Sequence, residues 1–427
     1  MDIVLVFGTL VFLMLLGVPI GFSMGLAALM GYIVSGMWSM SANFAHSMYT
    51  GASGFILLAI PFYIFAGNLM NTSGMSRRIF RFAENLIGHV PGGLGHVNVL
   101  ASIIFAGMSG SAVADAGGLG TIEIKAMTNA GYDLRFSAAI TAASSTIGPI
   151  IPPSIPLVVF GSMTSVSIGR LFLGGVVPGL IMGLSLMVAV AIISLRRRYP
   201  RSPRVSMMAK VKSAIDALPA FGTVLIILGG ILSGIFTPTE ASVVACVYAF
   251  LVGLVMYGDL RFSDLPAVLW DSVQQSAKVL FILAMAAVYG TVLTLMNVPE
   301  RILSMIGLLT ENRVVVLLLI NSILLIMGCF MEVLSVMLLT VPILLPMVVK
   351  IGMDPVHFGV MLTLNLMIGL ITPPVGLCLY AVAGVAKLSV NEVISEIGPY
   401  LIALLAALGL VTFIPQFTLW LPRLLLG

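Results

Sequence analysis

The 427-residue sequence predicts an all-α polytopic membrane protein, and three observations support that fold class. Apolar residues make up 60% of the chain and charged residues 8%, and the mean hydropathy is +1.17, far above the range of soluble domains. The apolar runs are continuous and about 20 residues long, whereas the strands of a membrane barrel alternate over about 10 residues. The third observation is a set of Gly and Pro motifs that occurs once in each half of the chain.

Twelve apolar runs give the order of the predicted elements. They lie near residues 2–18, 20–36, 53–71, 97–129, 136–163, 172–195, 214–235, 241–257, 274–297, 315–350, 357–384 and 397–421. The runs at 97–129 and 315–350 are too long for one straight span at about 1.5 Å per residue, and each is interrupted in its middle. We therefore expect each to form a re-entrant hairpin. The first run lacks a basic flank and a small-residue cleavage site, so we expect a span there and no cleaved signal peptide.

The segment 196–213 is strongly basic. It contains seven basic residues: Arg196, Arg197, Arg198, Arg201, Arg204, Lys210 and Lys212. Because basic loops stay on the cytoplasmic side, this segment is predicted to be a cytoplasmic linker between a first half, 1–195, and a second half, 214–427. The formal charge of +4 is not arranged as a basic stripe interleaved with aromatic residues, which argues against nucleic-acid binding.

The two halves repeat each other. Gly131-Tyr-Asp recurs 221 residues later as Gly352-Met-Asp, and the same offset sends the Pro pair at 152–153 to the pair at 373–374. Each half is predicted to contain three spans, a hairpin and two further spans. The span that directly follows each hairpin is predicted to be broken. A hairpin does not cross the membrane, so each half crosses five times, and this odd number inverts the second half. Inverted repeats with broken helices in matching positions are typical of secondary transporters.

The predicted interruptions point to ion and anion binding, and we expect each hairpin tip to meet one of them. The first tip, 109–111 with Asp115, is expected to meet residues 146–154, and residues 328–332 are expected to meet 369–376. Consecutive prolines remove N–H donors and end a helix, so carbonyls of the preceding turn are free to coordinate Na⁺. Helix N-termini attract anions. Asp115 in the first hairpin and Glu332 in the second are costly ionisable groups in apolar surroundings, which makes them functional candidates. The alternative for both is a capping or backbone hydrogen bond, and Ser111, Thr146 and Thr372 could instead bond to a carbonyl one turn earlier.

These motifs carry a family resemblance. GMSGSAVADAGGLGTIEIKAM followed by IGPIIPPSIP, with GLITPPVG in the second half, resembles the large membrane subunit of tripartite ATP-independent periplasmic (TRAP) transporters over essentially the whole chain. The resemblance implies an elevator-type ion transporter fold. In that fold a scaffold domain stays fixed, while a transport domain with both hairpins (about 97–129 and 315–350) and both broken helices (about 136–163 and 357–384) slides across the membrane.

The resemblance also implies the function and the site. It implies a bacterial inner-membrane permease, not an enzyme, that takes up an organic acid of the sialic acid or C4-dicarboxylate class with Na⁺ and no organic cofactor. The implied partners are a periplasmic substrate-binding protein and a small four-helix membrane subunit, expected here as a separate chain. The implied Na⁺ ligands are Ser109, Gly110, Ser111, Asp115, Gly148, Gly328, Glu332, Gly369 and Thr372. The implied substrate-binding residues are Ser111, Pro152, Pro153, Ser154, Pro373 and Pro374. Glu332 stands where many relatives are expected to have Asp.

Two other functions remain open at this point. The first is a stand-alone organic anion carrier of the same superfamily, coupled to a cation or a proton, which would need no binding protein. The second is an intramembrane aspartyl protease that uses Asp115 and Glu332. The protease is disfavoured because the repeat places the two carboxylates at separate hairpin tips, whereas proteolysis needs them at one scissile bond.

Overall fold

The computed structural model describes residues 2–36, 38, 42–298, 301 and 312–427, apart from the side chains of 42 and 107–109. Every regular element in these ranges is helical. The first half contains α1 (Asp2–Leu15), α2 (Ile20–Val34), α3 (Ala42–Ala52), α4 (Ala59–Thr72), α5 (Met75–Ile87), α6 (Gly93–Ser109), α7 (Ala112–Gly117), α8 (Leu119–Asn129), α9 (Leu134–Ser145), α10 (Ile155–Thr164) and α11 (Ile168–Arg197). The second half contains α12 (Met207–Leu232), α13 (Pro238–Leu251), α14 (Leu265–Leu295), α15 (Arg313–Phe330), α16 (Val333–Lys350), α17 (Pro355–Gly369), α18 (Leu377–Ala386), α19 (Val390–Phe413) and α20 (Gln416–Leu426).

Eight helical segments in the described ranges are long and apolar enough to cross a membrane, which confirms a polytopic helical membrane protein. Large apolar side chains are exposed along them, including Leu184 at 64% and Ile402 at 71%. All three tryptophans are also more than half exposed: Trp38, Trp270 and Trp420. An apolar surface of this kind is compatible with lipid and not with water.

The two predicted broken helices are interrupted in the structure. The run 136–163 forms α9 and α10, separated by residues 146–154, and the run 357–384 forms α17 and α18, separated by residues 370–376. Asp133 begins α9 because its carboxylate accepts hydrogen bonds from the backbone N–H groups of Arg135 and Phe136. Asp354 begins α17 in the same way. The predicted hairpins are also interrupted: the first forms α6, α7 and α8, and the second forms α15 and α16.

Several element bounds differ from the sequence prediction. Helices α3 and α5 lie outside the predicted apolar runs because they are amphipathic: α5 buries Met75, Ile79 and Ala83 at helical spacing and carries arginines on its other face. Helix α14 begins at Leu265, nine residues before the predicted run at 274, because the polar residues between Asp271 and Ser276 separate its apolar first turns from that run. The run 397–421 is two helices, α19 and α20, with Pro415 next to the boundary.

The helices pack in two groups. Helices α2, α3 and α4 contact the long α14, α13 packs on α4, and α12 packs on α5 and α13. Helix α16 of the second hairpin contacts α14 as well as α10 and α17. The second group mixes the two halves of the chain: α9 contacts α18 and α19, and α11 contacts α17, α19 and α20. Ion pairs between Arg135 and Glu392 (2.9 Å) and between Arg197 and Glu396 (2.8 Å) join α9 and α11 to α19. The interrupted elements of both halves therefore lie together in this group.

Candidate functional site

The first hairpin tip lies against the first interruption. Ser111 begins α7, and its hydroxyl accepts a hydrogen bond from the N–H of Ala114 at 3.4 Å. Gly110 has a positive φ of 61°, and a Cβ atom added there would lie 3.3 Å from the carbonyl oxygen of Pro153. The predicted contact between the tip and the residues 146–154 is thus present. Ser109 ends α6, and its side chain lies outside the described part of the chain.

Asp115 lies one turn into α7 and is only 4% exposed. A Cβ atom added to Gly148 would overlap the Oδ2 atom of Asp115, so the carboxylate rests directly on the backbone of the first interruption. Cys378 of α18 lies nearby, beside Ser145. Elements from both halves therefore surround this carboxylate, since α18 belongs to the second broken helix and packs on both α7 and α9.

Hydroxyl groups line the first interruption. Thr146 donates to the carbonyl of Ala143 at 2.6 Å, which is the local hydrogen bond that the sequence left open as an alternative. Ser154 begins α10: it donates to the carbonyl of Pro149 and accepts from the N–H of Leu157 at 3.2 Å. A donating hydroxyl keeps oxygen lone pairs, so these bonds do not prevent it from binding a cation. The peptide bonds at 152–153 and 373–374 are both cis.

The second hairpin tip contacts the second interruption in a comparable way. A Cβ atom added to Gly369 would lie 2.7 Å from the Cα atom of Gly328, so the two backbones touch. The N–H of Gly376 donates to the carbonyl of Cys329 at 3.2 Å. Glycine is required at positions 328 and 369 because any side chain there would separate the hairpin from the broken helix.

Glu332 is the helix cap that the sequence kept open as its alternative role. Its carboxylate accepts hydrogen bonds from the N–H groups of Leu334 at 3.0 Å and Ser335 at 3.3 Å, at the start of α16. Thr372 in the second interruption donates to the carbonyl of Ile368 at 2.7 Å, again one turn earlier. The structure thus brings Gly148 against Asp115 in the first half and Gly369 against Gly328 in the second, and the roles of the predicted residues in binding remain predictions.

A cavity of about 770 Å³ lies between the two hairpin tips and α14. Three predicted site residues line it: Gly110, Ser111 and Glu332. The predicted substrate residues Pro152, Pro153 and Ser154 are buried behind the first tip, and the prolines that face the cavity are Pro149 and Pro156. Ser154 is fully buried and serves as the N-cap of α10.

The sequence analysis missed the wall opposite the tips. Gln275 and Lys278, one turn apart on α14, line the cavity together with Val279 and Ile282. The sequence feature that could have revealed this wall was a charged residue, Lys278, inside the apolar run 274–297. It was not recognised because α14 contains neither a glycine-rich break nor a repeated motif.

The long apolar helices, the paired interruptions and the cavity between them define a polytopic membrane transporter. A family model described as "Tripartite ATP-independent periplasmic transporter, DctM component" matches residues 7–417. The chain belongs to this family. It is therefore a large permease subunit of a TRAP transporter in the bacterial inner membrane, and not an enzyme.

Named relatives agree with this assignment. The chain is 44% identical over 97% of both sequences to the sialic acid TRAP transporter large permease protein SiaM of Vibrio cholerae. It is 41% identical to the C4-dicarboxylate TRAP transporter large permease protein DctM of Pseudomonas aeruginosa, over 89% of both. The crystal structure of the YdaH transporter from Alcanivorax borkumensis superposes with a TM-score of 0.66 over 90% of this chain and 89% of that one, at 14% identity. That likeness shows a shared fold.

Proposed function

We propose that this chain carries out Na⁺-coupled uptake of an organic acid anion, of the sialic acid or C4-dicarboxylate class, in a tripartite system. The observation that carries the proposal is the cavity bounded by both hairpin tips, each in contact with an interrupted helix. The substrate classes are those in the names of SiaM and DctM, which this chain matches over most of its length.

Na⁺ is a hard cation, and the two tips offer the oxygen ligands that hard cations prefer. At the first tip these are Ser111, the Asp115 carboxylate and backbone carbonyls near Gly148. At the second tip they are Glu332, Thr372 and carbonyls near Gly328 and Gly369. Each set pairs one carboxylate with polar backbone in an apolar environment, so a bound cation would neutralise a charge that is costly there. Two Na⁺ with one monoanion would move a net charge of +1, which a membrane interior-negative by 100 mV drives by about 2.3 kcal/mol.

The packing supports an elevator mechanism with inverted repeats. In this proposal the interleaved group, α6–α11 with α15–α20, is the transport domain, and the helices around α14 are the scaffold. Both hairpins and both interruptions belong to the interleaved group, so the cation and anion sites would travel together. The partners in the proposal are a periplasmic substrate-binding protein, which delivers the anion, and a small four-helix membrane subunit beside the scaffold.

The test is uptake into proteoliposomes that contain this chain, its small subunit and its binding protein. Labelled N-acetylneuraminate and succinate are the probes. We expect accumulation of at least one of them with an inward Na⁺ gradient, and faster uptake when the interior is negative. Uptake that is unchanged when choline replaces Na⁺ would contradict the coupling. Full uptake without the binding protein, or driven by a proton gradient alone, would instead indicate a stand-alone carrier.

A further inference from the structure

Lys278 lies on the cavity wall that faces the two hairpin tips. At about 1.5 Å per residue it is roughly 20 Å along α14 from Leu265 and 26 Å from Leu295, so it occupies the middle of a long apolar helix. The side chain is exposed to the cavity, and no ion pair to it occurs within the described residues. A lysine at membrane depth is energetically costly unless water or an anion contacts its ammonium group.

The charges of the cavity favour an anion at Lys278. Among the described residues that line it, the charged groups are Lys278 and Glu332. The Glu332 carboxylate already accepts hydrogen bonds from two N–H groups of α16, whereas the ammonium group of Lys278 has no ion-pair partner in the part of the chain that the structure describes. Gln275, one turn before Lys278 on the same side of α14, adds an amide donor to the same wall.

We propose that Lys278 binds the carboxylate of the transported anion, with Gln275 as a second donor. This inference rests on the proposed uptake function and adds the group that recognises the acid. An ammonium group forms a charge-assisted hydrogen bond with a carboxylate, and this bond is stronger in a site shielded from bulk water. The carboxylate would then lie between the α14 wall and the hairpin tips, so that it bridges the two helix groups.

The first experiment tests the charge at position 278. Lys278→Cys should lower uptake of the transported probe by about 10- to 100-fold, since a charged hydrogen bond is lost. Treatment with an aminoethyl methanethiosulfonate restores an ammonium group at nearly the original distance and should restore uptake. The sulfonatoethyl reagent adds a negative charge and should not. The three native cysteines, Cys246, Cys329 and Cys378, are buried, and the untreated and treated parent chain reports any effect on them.

Lys212→Cys is the matched control, because Lys212 is an exposed basic residue near the start of α12 and outside the cavity. Neither its substitution nor its modification should change uptake. Wild-type uptake by untreated Lys278→Cys would overturn the inference. So would equal rescue by both reagents, or no rescue in a protein that still inserts and binds its small subunit, because either result indicates a structural role.

A second measurement does not depend on transport. In the purified unmodified complex of this chain with its small subunit, N-acetylneuraminate or succinate with Na⁺ should slow reductive methylation of Lys278, read by peptide mass spectrometry, and leave Lys212 unaffected. Equal methylation rates with and without both probes would overturn the inference. If the parent chain shows no Na⁺-driven uptake but Lys278 is protected, the coupled function fails and the carboxylate site stands.

Discussion

Asp115 is the residue on which the first proposed cation site depends. It is buried, and it rests on Gly148 at the interruption between α9 and α10. A carboxylate in this position can bind Na⁺ through its charge, or it can act through its shape and hydrogen bonds alone. A substitution that removes the charge of the Asp115 side chain but keeps its shape distinguishes between these two roles.

Asp115→Asn should therefore lower Na⁺-driven uptake at least about tenfold, while the protein still inserts and binds its small subunit. The physical reason is the lost charge–charge attraction, which is strong in apolar surroundings. Initial uptake rates over a Na⁺ titration measure the effect. Asp271→Asn is the control, because Asp271 is an exposed carboxylate of α14 away from the cavity lining. Unchanged uptake by Asp115→Asn would assign Asp115 a structural role.

At the scale of elements, buried amides connect each hairpin to its broken helix. In the first half Asn98 of α6 donates to Thr141 of α9 at 2.7 Å and accepts from Ser144 at 2.6 Å. In the second half Asn365 of α17 donates to the side-chain oxygen of Asn321 in α15 at 2.8 Å. These hydrogen bonds satisfy polar groups that would be costly alone in the core. Each hairpin is thus joined by side-chain hydrogen bonds to the interrupted helix of its own half.

The amide pair of the second half should be energetically coupled. In a double-mutant cycle, Asn321→Ala and Asn365→Ala are expected to show a coupling of about 0.5–1.7 kcal/mol, the range found for side-chain hydrogen bonds within membranes. Thermal unfolding of the detergent-solubilised protein measures it. Ser322→Ala combined with Asn365→Ala serves as the control cycle, because Ser322 is exposed and donates a hydrogen bond to the carbonyl of Leu318 in its own helix. Strictly additive effects of the asparagine pair would show that the contact does not stabilise the fold.

For the whole molecule, the elevator proposal requires two positions of one helix group relative to the other. Spin labels on Asn129 at the end of α8 and on Val255 after α13 occupy exposed sites in the two groups. We expect two distance populations, and Na⁺ with substrate should change their ratio, because a ligand shifts an equilibrium by its differential affinity for the two states. Pulsed electron paramagnetic resonance measures both.

A label pair within the scaffold, Val255 with Leu269, is the control and should give one distance under all conditions. If Asn129 and Val255 also give a single distance that no ligand changes, in a preparation shown to transport, the site is fixed and gated. The inverted five-plus-five topology is a separate property, which this measurement does not address.

The structural features that could be predicted from the sequence are those that depend on local backbone chemistry. The paired prolines and glycines predicted both interruptions because their effect does not depend on distant partners. The contact between Gly328 and Gly369 was predicted because the repeat aligns them with Gly107 in the first hairpin and Gly148 at the first interruption. Lys278 could not be assigned in this way, since its cavity forms from three elements far apart in sequence. Amphipathic α5 was missed because it is not apolar all round.

The position of the three tryptophans has a practical consequence. All are exposed on the outer surface, and none lines the central cavity. We therefore expect indole emission from this protein to report on the surroundings of the outer surface and not on direct contact with a substrate in the cavity. Tyr380 is the aromatic residue that lines the cavity. A fluorescent probe of substrate binding should therefore be introduced at position 380.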